Sequence, residues 1–161
     1  MVILVMGVTG SGKTTVGKLL AKRLAWDFLD ADDFHSAANR EKMHHAIPLT
    51  DADRAPWLVS IHDELLRRND AGRNVVLACS ALKQEYRDVL CAGLIFTIVF
   101  LRGTREQLHR NLSRPREGHF ADETLVPSQL ATLQEPTNAL IEDISRTPDE
   151  IVDDVCASLK S

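Results

Sequence analysis

The stretch "GVTGSGKT", residues 7–14, decides how this chain folds. It matches the pattern G-x-x-x-x-G-K-[ST] and lies between two segments with different apolar patterns. The preceding run "VILVM", residues 2–6, is continuously apolar, as buried strands are. In the following segment, residues 14–24, apolar residues recur at helical spacing on one face. The sequence therefore predicts a strand, a glycine-rich loop and a helix in immediate succession.

This loop has the chemistry of a phosphate site. Its glycines allow backbone angles that side chains forbid, so that amide N–H groups can converge on phosphate oxygens. The helix that follows points its positive end at the same anion. Lys13 supplies a mobile charge for the β- and γ-phosphates, and Thr14 offers a hydroxyl to Mg²⁺. The alternative is a glycine-rich turn with a surface lysine, but a chance match has odds of order one in a hundred. The predicted nucleotide-binding residues are Gly7, Val8, Thr9, Gly10, Ser11, Gly12, Lys13, Thr14 and Thr15.

Strand and helix patterns alternate along the rest of the chain, which predicts right-handed βαβ units and a parallel sheet covered on both faces. Two polar segments, 35–54 and 113–128, interrupt the alternation where a nucleotide enzyme would carry its substrate-binding and lid excursions. The predicted strands are 2–6, 26–29, 74–80, 95–101 and 139–144. The predicted helices are 14–24, 56–69, 104–112 and 147–159.

Composition sets outer limits on function. A chain of 161 residues is the size of one domain, and its net charge of −4 with a pI of about 5.8 argues against a general nucleic-acid binder. No apolar run approaches the roughly 20 residues of a membrane span. The N-terminal "MVILVM" lacks the basic region of a signal peptide. Three scattered cysteines fit reduced thiols in the cytosol better than a disulfide framework.

A dense group of acids follows the second predicted strand. The stretch "FLDADDFH", residues 28–35, contains Asp30, Asp32 and Asp33. Strand alternation places residues i and i+2 on the same side, so Asp30 and Asp32 are both expected to face the phosphate site. Bound Mg²⁺ would relieve their mutual repulsion, and Asp33 is expected to be solvated. The alternative is a helix N-terminus, where acids are common.

A phosphate loop occurs in kinases, switch GTPases and ATP-driven motors. The N-K-x-D motif that reads guanine is missing from the sequence, and together with the small size this favours a small-molecule kinase. Over most of its length the chain resembles the gluconate kinases, a family of P-loop small-molecule kinases. The motifs that carry the resemblance are "GVTGSGKTT", "FLDADDFH", "NREKM", "PLTDADRAPWL", "CSALKQEYRD", "GHF" and "LQEP".

The resemblance implies a P-loop kinase fold of class α/β, with a parallel five-stranded sheet and helices on both faces. It implies one domain over residues 1–161, with a substrate-binding segment at about 35–57 and a lid at about 110–128. The implied activity is ATP-dependent phosphorylation of D-gluconate to 6-phospho-D-gluconate, with ATP and Mg²⁺ as cofactors. A cytoplasmic homodimer is also expected, with a small-molecule substrate and with neither nucleic acid nor membrane as partner.

The same resemblance gives roles to individual residues. Thr14 and Asp30 would bind the metal, Asp30 through water, and Asp32 would orient the acceptor hydroxyl or act as general base. Lys13 and the lid residue Arg116 would stabilise the transferred phosphoryl group.

The identity of the lid arginine is left undecided, because the spacing before "GHF" departs from the commoner family form. Arg110 and Arg114 are the alternates to Arg116.

An anionic polyol needs cations for its carboxylate and mixed donors and acceptors for its hydroxyls. Lys83 and Arg87 are four residues apart and would share one helical face as an anion clamp if their segment is helical. Gln134 would contact the substrate, position the lid or simply lie near a helix end. The predicted substrate-binding residues are Asp32, His35, Asn39, Arg54, Lys83, Arg87, His119 and Gln134.

Two rival functions belong to different classes. Another small kinase, such as a shikimate kinase or a nucleoside monophosphate kinase, is the enzymatic rival. Shikimate kinases usually carry a G-G motif after the third strand, where this chain has "CSALK", residues 79–83. A noncatalytic ATP-binding regulator is the other rival, and the intact Lys13, Thr14, Asp30 and Asp32 argue against it.

Overall fold

The computed structural model describes residues 1–114 and 124–161. Its five strands form one sheet in the order β2-β3-β1-β4-β5, and every neighbouring pair is parallel. The strands are β1 Val2–Met6, β2 Asp27–Asp30, β3 Val75–Ala78, β4 Phe96–Arg102 and β5 Leu140–Asp143. The helices are α1 Lys13–Leu24, α2 Ala37–His44, α3 Asp51–Asp70, α4 Gln84–Cys91, α5 Arg105–Leu112, α6 Leu125–Thr132 and α7 Pro148–Leu159, with a short 3₁₀ helix at Ala31–Phe34.

The central strand β1 supplies both halves of the core. Leu4 and Met6 pack on one face of the sheet, against the side of α3 and α4. Ile3 and Val5 pack on the other face, against α1 and α7. All four side chains are fully buried, which explains why the strand is apolar at every position rather than at alternate ones. The prediction of a parallel five-stranded sheet with helices on both faces is confirmed.

Two helices lie where the sequence showed only polar excursions. Helix α2 is capped by Ser36, whose hydroxyl accepts a hydrogen bond from Asn39 N, but it buries little apolar surface and therefore carries no clear period. Helix α6 follows the segment that the structure leaves undescribed. Helix α3 begins at Asp51, not near residue 56, because Thr50 and Asp53 form a capping box ahead of Pro56.

Because the strands are parallel, their carboxyl ends meet at one edge of the sheet, which is where open α/β sheets bind ligands. The glycine-rich loop follows β1 at this edge, and the acids follow β2. Cys79 follows β3 there. No helix within the two described ranges is long and apolar enough to cross a membrane.

Candidate active site

The glycine-rich loop joins β1 to α1. The nine predicted nucleotide-binding residues, 7–15, lie in this loop and in the first turn of α1. Gly10 and Gly12 have φ angles of 87° and 93°, in the left-handed region that favours glycine. Helix α1 begins at Lys13, whose ammonium donates a hydrogen bond to Val8 O at 3.3 Å. The loop therefore places backbone amides, a helix N-terminus and one ammonium group around the same point.

The two predicted metal ligands are in contact. Thr14 Oγ1 donates a hydrogen bond to Asp30 Oδ2 at 3.0 Å. The other carboxylate oxygen of Asp30 accepts from the backbone N–H of Asp32, also at 3.0 Å. A hydroxyl and a carboxylate are oxygen donors of the kind that Mg²⁺ prefers. Among the described residues, no group of three or more His, Cys, Asp or Glu side chains could hold a metal ion.

The structural reason given for pairing Asp30 with Asp32 needs correction. Strand β2 ends at Asp30, and Asp32 lies in the 3₁₀ helix Ala31–Phe34, so strand alternation does not relate the two side chains. Asp30 is the N-cap of this short helix, which is why its carboxylate accepts from Asp32 N. The alternative prediction, that these acids lie at a helix N-terminus, is therefore also correct, because Asp30 caps the 3₁₀ helix and Asp32 lies in its first turn.

The environment of Cys79 indicates that the predicted catalytic groups converge. This buried thiol follows β3, and burial raises its pKa to about 12. The charges of Asp32, Lys13 and Asp30 contribute to this pKa, the two carboxylates upward and the ammonium downward. The contacts of Asp30 with Thr14 and with Asp32 N, beside the loop that leads to Lys13, show the same arrangement directly.

A cleft of about 600 Å³ opens beside the loop, between α1, α5 and the segment that leads from β5 into α7. Ser11, Gly12 and Thr15 bring one wall from the loop and α1. The opposite walls include Gln107, Arg110, Asn111, Arg114, Ile144, Ser145, Arg146, Thr147 and Pro148. Both alternates for the lid arginine, Arg110 and Arg114, line this cleft.

The part of this cleft that precedes α7 contains no residue that was predicted to bind a ligand. Ser145, Arg146 and Thr147 carry no motif, although they follow a predicted strand at the ligand-binding edge of the sheet. Their position after a strand at this edge is the sequence feature that could have indicated a ligand-binding role. Arg146 already pairs with Glu142 at 3.3 Å and with Asp154.

A charged cluster lies between the start of α3 and the start of α4. Lys83 Nζ lies 3.2 Å from Asp51 Oδ1, and the hydroxyl of Tyr86 also donates a hydrogen bond to Asp51. The guanidinium of Arg54 lies 5.6 Å from the centroid of the Tyr86 ring, and Lys83 Nζ lies 5.5 Å from it. The hydrogen bond from Tyr86, together with the one from Lys83, holds the pKa of Asp51 below its usual value. Two predicted substrate-binding residues, Arg54 and Lys83, are therefore neighbours around one aromatic ring.

His35 lies between the 3₁₀ helix and α2, stacked on Trp57 with ring centroids 4.4 Å apart. Burial lowers the pKa of His35 to about 4, and the charges of Arg40 and Arg54 act in the same direction. Its Nδ1 is buried and has no hydrogen-bond partner among the described residues. His35 is therefore neutral near pH 7, and it can exchange hydrogen bonds with a ligand but cannot supply a cation.

Asn39 is buried, and its predicted role as a substrate contact competes with a structural one. Its Nδ2 donates to Asp53 O at 3.0 Å, which ties α2 to the first turn of α3. Lys42 pairs with the carboxylate of the same Asp53 at 2.8 Å. The two helices of the predicted substrate-binding segment are thus joined through one residue.

Arg87 does not form the predicted clamp with Lys83. Helix α4 begins at Gln84, so Lys83 is its N-cap and the two side chains do not share a helical face. Arg87 is 1% exposed, and its guanidinium donates to Ala81 O at 2.7 Å and to Leu82 O at 3.2 Å. Burial lowers the pKa of this guanidinium from its ordinary value. Its hydrogen bonds are used inside the protein, to hold the turn that presents Lys83.

Gln134 completes this internal arrangement. Its backbone O accepts a hydrogen bond from Arg87 Nη2 at 2.8 Å, and its side-chain oxygen accepts from Gln84 N at 2.8 Å, at the start of α4. Its own N–H donates to Leu82 O. Gln134 therefore fixes the β3–α4 turn. The remaining predicted site residues, Arg116 and His119, lie outside the described residues.

Comparisons with known proteins show the family and the fold of the chain. Residues 9–160 match the family model described as shikimate kinase. A probable gluconokinase of Rattus norvegicus is 48% identical over 155 residues, which cover 84% of this chain and 83% of that protein. A gluconokinase of Gluconobacter oxydans (strain 621H) is 50% identical over 135 residues, covering 83% of this chain and 75% of that protein. The crystal structure of a gluconokinase from Sinorhizobium meliloti 1021 superposes with a TM-score of 0.86 at 39% identity, over 98% of this chain and 90% of that one.

Proposed function

The chain belongs to the gluconokinase family of P-loop kinases, and on that premise we propose that it transfers the γ-phosphoryl group of ATP to D-gluconate, giving 6-phospho-D-gluconate and ADP. The observation that carries the proposal is the hydrogen-bonded group beside the phosphate loop, in which Asp30 accepts from the Thr14 hydroxyl and from Asp32 N, with Lys13 next to Thr14 at the start of α1. A noncatalytic ATP-binding regulator has no need for a carboxylate pair in that position.

The nucleotide phosphates bind in the loop that contains Gly10 and Gly12, where amide N–H groups and the start of α1 face them. Lys13 exchanges its hydrogen bond with Val8 O for the β- and γ-phosphate oxygens. The nucleoside occupies the 600 Å³ cleft between α5 and the segment before α7. Arg110 and Arg114, both in that cleft, can offset phosphate charge together with or in place of Arg116.

Thr14 and Asp30 fit Mg²⁺, because their oxygens already lie 3.0 Å apart beside the phosphate loop. When bound, the ion neutralises phosphate charge and orients the γ-phosphoryl group. Asp30 is also the N-cap of the 3₁₀ helix, and its carboxylate accepts a hydrogen bond from Asp32 N, which holds Asp32 in place.

Asp32 orients the 6-hydroxyl of gluconate for attack in line with the bond that breaks. A bond forms between the gluconate oxygen and the γ-phosphorus, and the bond from that phosphorus to the β,γ-bridging oxygen of ATP breaks. The electron pair of the broken bond remains on ADP. The hydroxyl proton passes to Asp32 and then to solvent.

The gluconate carboxylate binds at the cluster of Arg54, Lys83 and Tyr86. Lys83 pairs with Asp51 at 3.2 Å and lies 3.9 Å from Glu85, whereas Arg54 donates to Leu49 O and to the Tyr86 hydroxyl, so Arg54 is assigned as the main cation for the monoanion. His35 is uncharged and is assigned to a substrate hydroxyl. In this arrangement Arg87 positions the turn that presents Lys83 and does not contact gluconate.

The test is an ADP-release assay with gluconate, glucose, shikimate and AMP at equal concentration. Gluconate is expected to lead by at least about 100-fold in kcat/KM, because a neutral sugar leaves the cation cluster without its anion. A preference for shikimate or AMP would show that gluconate is not the acceptor, and it would leave the P-loop kinase assignment intact. ADP release with none of the four would favour the noncatalytic regulator.

A cytoplasmic homodimer is part of the same proposal. The cysteines Cys79, Cys91 and Cys156 are free thiols, as expected in a reducing compartment. Sedimentation equilibrium of the purified protein tests the oligomeric state, since a dimer has twice the 17.9 kDa mass of the chain.

A further inference from the structure

Two amide side chains reach the phosphate loop from helices that are distant in sequence. Asn111, in α5, donates through Nδ2 to Gly10 O at 2.9 Å. Gln129, in α6, accepts a hydrogen bond from Thr9 N at 2.8 Å through its side-chain oxygen. The partners are 101 and 120 residues apart in the chain, so no local motif indicates either contact.

Each peptide group that these side chains contact is also held at its other end. In the peptide between Val8 and Thr9, the N–H binds Gln129, and the carbonyl accepts from Ser11 N at 3.0 Å and from Lys13 Nζ. In the peptide between Gly10 and Ser11, the carbonyl binds Asn111 and the N–H binds Val8 O. Neither peptide can rotate without breaking hydrogen bonds on both sides.

Packing restricts the same part of the loop. Val8 is buried in a small apolar cluster with Leu82, Leu108 and Val126, which come from the β3–α4 turn, α5 and α6. A Cβ atom on Gly10 would lie 2.9 Å from Leu108 O. The loop is therefore enclosed by α5 and α6 along the stretch that their two amide side chains hold.

We propose that Asn111 and Gln129 are positioning residues for nucleotide binding, which hold the peptides of the phosphate loop so that its amides face the phosphates before the nucleotide arrives. A loop already ordered in the free protein costs less conformational entropy on binding than one that must order at that moment. This inference rests on the proposed nucleotide site, but it does not depend on which acceptor the enzyme phosphorylates.

The test compares Gln129→Met and Asn111→Leu, which keep side-chain size and remove the hydrogen-bonding groups. Ser128→Ala is the matched control, because Ser128 is an exposed neighbour on α6 whose hydroxyl, among the described residues, donates to Leu125 O of the same helix at 3.4 Å. Isothermal titration with ADP and excess MgCl₂ measures nucleotide affinity without any acceptor. Losing one neutral hydrogen bond that favours the bound form is expected to raise Kd by about 3- to 10-fold in each variant and to leave the control unchanged.

A purely structural role predicts a different pattern. It would lower Tm in both variants while the ADP Kd of the folded protein stays within twofold of wild type, and that result would overturn the proposal. Amide hydrogen exchange of the nucleotide-free wild type adds a test that needs no variant. The N–H of Thr9 is expected to be protected, and exchange at the rate of an open loop would overturn the proposal as well.

The outcomes separate this inference from the acceptor assignment. If gluconate is not phosphorylated but the wild type binds MgADP, the acceptor assignment fails and the ADP titrations still decide the role of Asn111 and Gln129. If the wild type does not bind MgADP, the nucleotide site is wrong and this proposal falls with it.

Discussion

Replacing Arg87 by methionine should destabilise the protein strongly and change gluconate recognition little. Methionine has a similar length and removes the charge together with every hydrogen-bond donor. Arg87 donates to the carbonyls of Ala81, Leu82 and Gln134 and to the side-chain oxygen of Gln84, at distances from 2.7 to 3.2 Å. At 1% exposure, no water can replace those donors without rearrangement of the turn.

The magnitude follows from these contacts. Hydrogen bonds from a charged donor contribute about 1.5–3 kcal/mol each, so the four together amount to roughly 6–12 kcal/mol. Burying the guanidinium costs several kcal/mol in desolvation, which the variant no longer has to overcome. The expected net loss is about 3 kcal/mol, which lowers Tm by roughly 6–12 °C in a domain of this size.

The assay pairs thermal unfolding with steady-state kinetics at a temperature where the variant is folded. For Arg87→Met we expect the Tm to fall as above and the KM for gluconate to stay within about threefold of wild type. Lys83→Met is the contrast, because Lys83 is a partly exposed residue in a surface ion pair with Asp51. We expect a Tm close to wild type and a KM for gluconate raised by about 10- to 100-fold, as the loss of one charged contact predicts.

The reverse pattern would refute this reasoning. If Arg87→Met kept its Tm and raised the KM for gluconate by 100-fold, the guanidinium would face the substrate, as the sequence spacing alone suggested.

Three further predictions concern the site. Lys13→Ala should keep the wild-type Tm and lose most of kcat/KM for ATP, and retention of kcat/KM would show that the loop does not bind the transferred phosphate. Asp30→Asn should raise the Mg²⁺ concentration needed for half-maximal rate, whereas Asp32→Asn should lower kcat by about 10²- to 10⁴-fold at saturating Mg²⁺ and gluconate; full kcat in the second variant would remove Asp32 from the chemistry. His35 stays neutral in the folded protein down to its pKa of about 4, whereas the unfolded chain takes up the proton near 6.5. Its contribution to stability is therefore complete above pH 6.5 and is lost as the pH falls toward 4, by about 1–2 kcal/mol between pH 7 and pH 5. Urea unfolding of His35→Phe at both pH values should lack this part of the pH dependence, and an unchanged dependence would mean that His35 titrates normally.

Several features of the molecule are local and could be predicted from the sequence. The phosphate loop is one, because positive φ angles at Gly10 and Gly12 and a helix start at Lys13 depend on neighbouring residues. The starts of two helices are another. The predicted helices 104–112 and 147–159 begin at Thr104 and Thr147, and both residues form capping boxes within three residues. The parallel sheet with helices on both faces was predicted from apolar runs that alternate with helical patterns, whereas the order of its strands was not predicted.

The site was predictable only in part. Thr14 was assigned to a metal from the P-loop pattern and Asp30 through a family resemblance, and the two side chains do lie in contact. Asp32 was placed beside Asp30 on a wrong premise, since a strand cannot be distinguished from a strand followed by a 3₁₀ turn over so few residues. The acids that cap a helix and those that face a ligand have the same sequence pattern.

The sequence alone therefore predicted the five strands, the helices α1, α3, α5 and α7, and the phosphate loop, whose backbone conformation depends on consecutive residues. Only the tertiary structure decided which polar side chains remain available to a ligand. Arg87 and Lys83 are both cations near the start of α4. Arg87 turns inward to carbonyls from the turn before α4 and from Gln134, whereas Lys83 is partly exposed and pairs with Asp51. Asn111 and Gln129 hold the phosphate loop from more than 100 residues away. A buried carbonyl or amide must find a partner, and which side chain supplies it depends on the packing of distant elements, which no local spacing records.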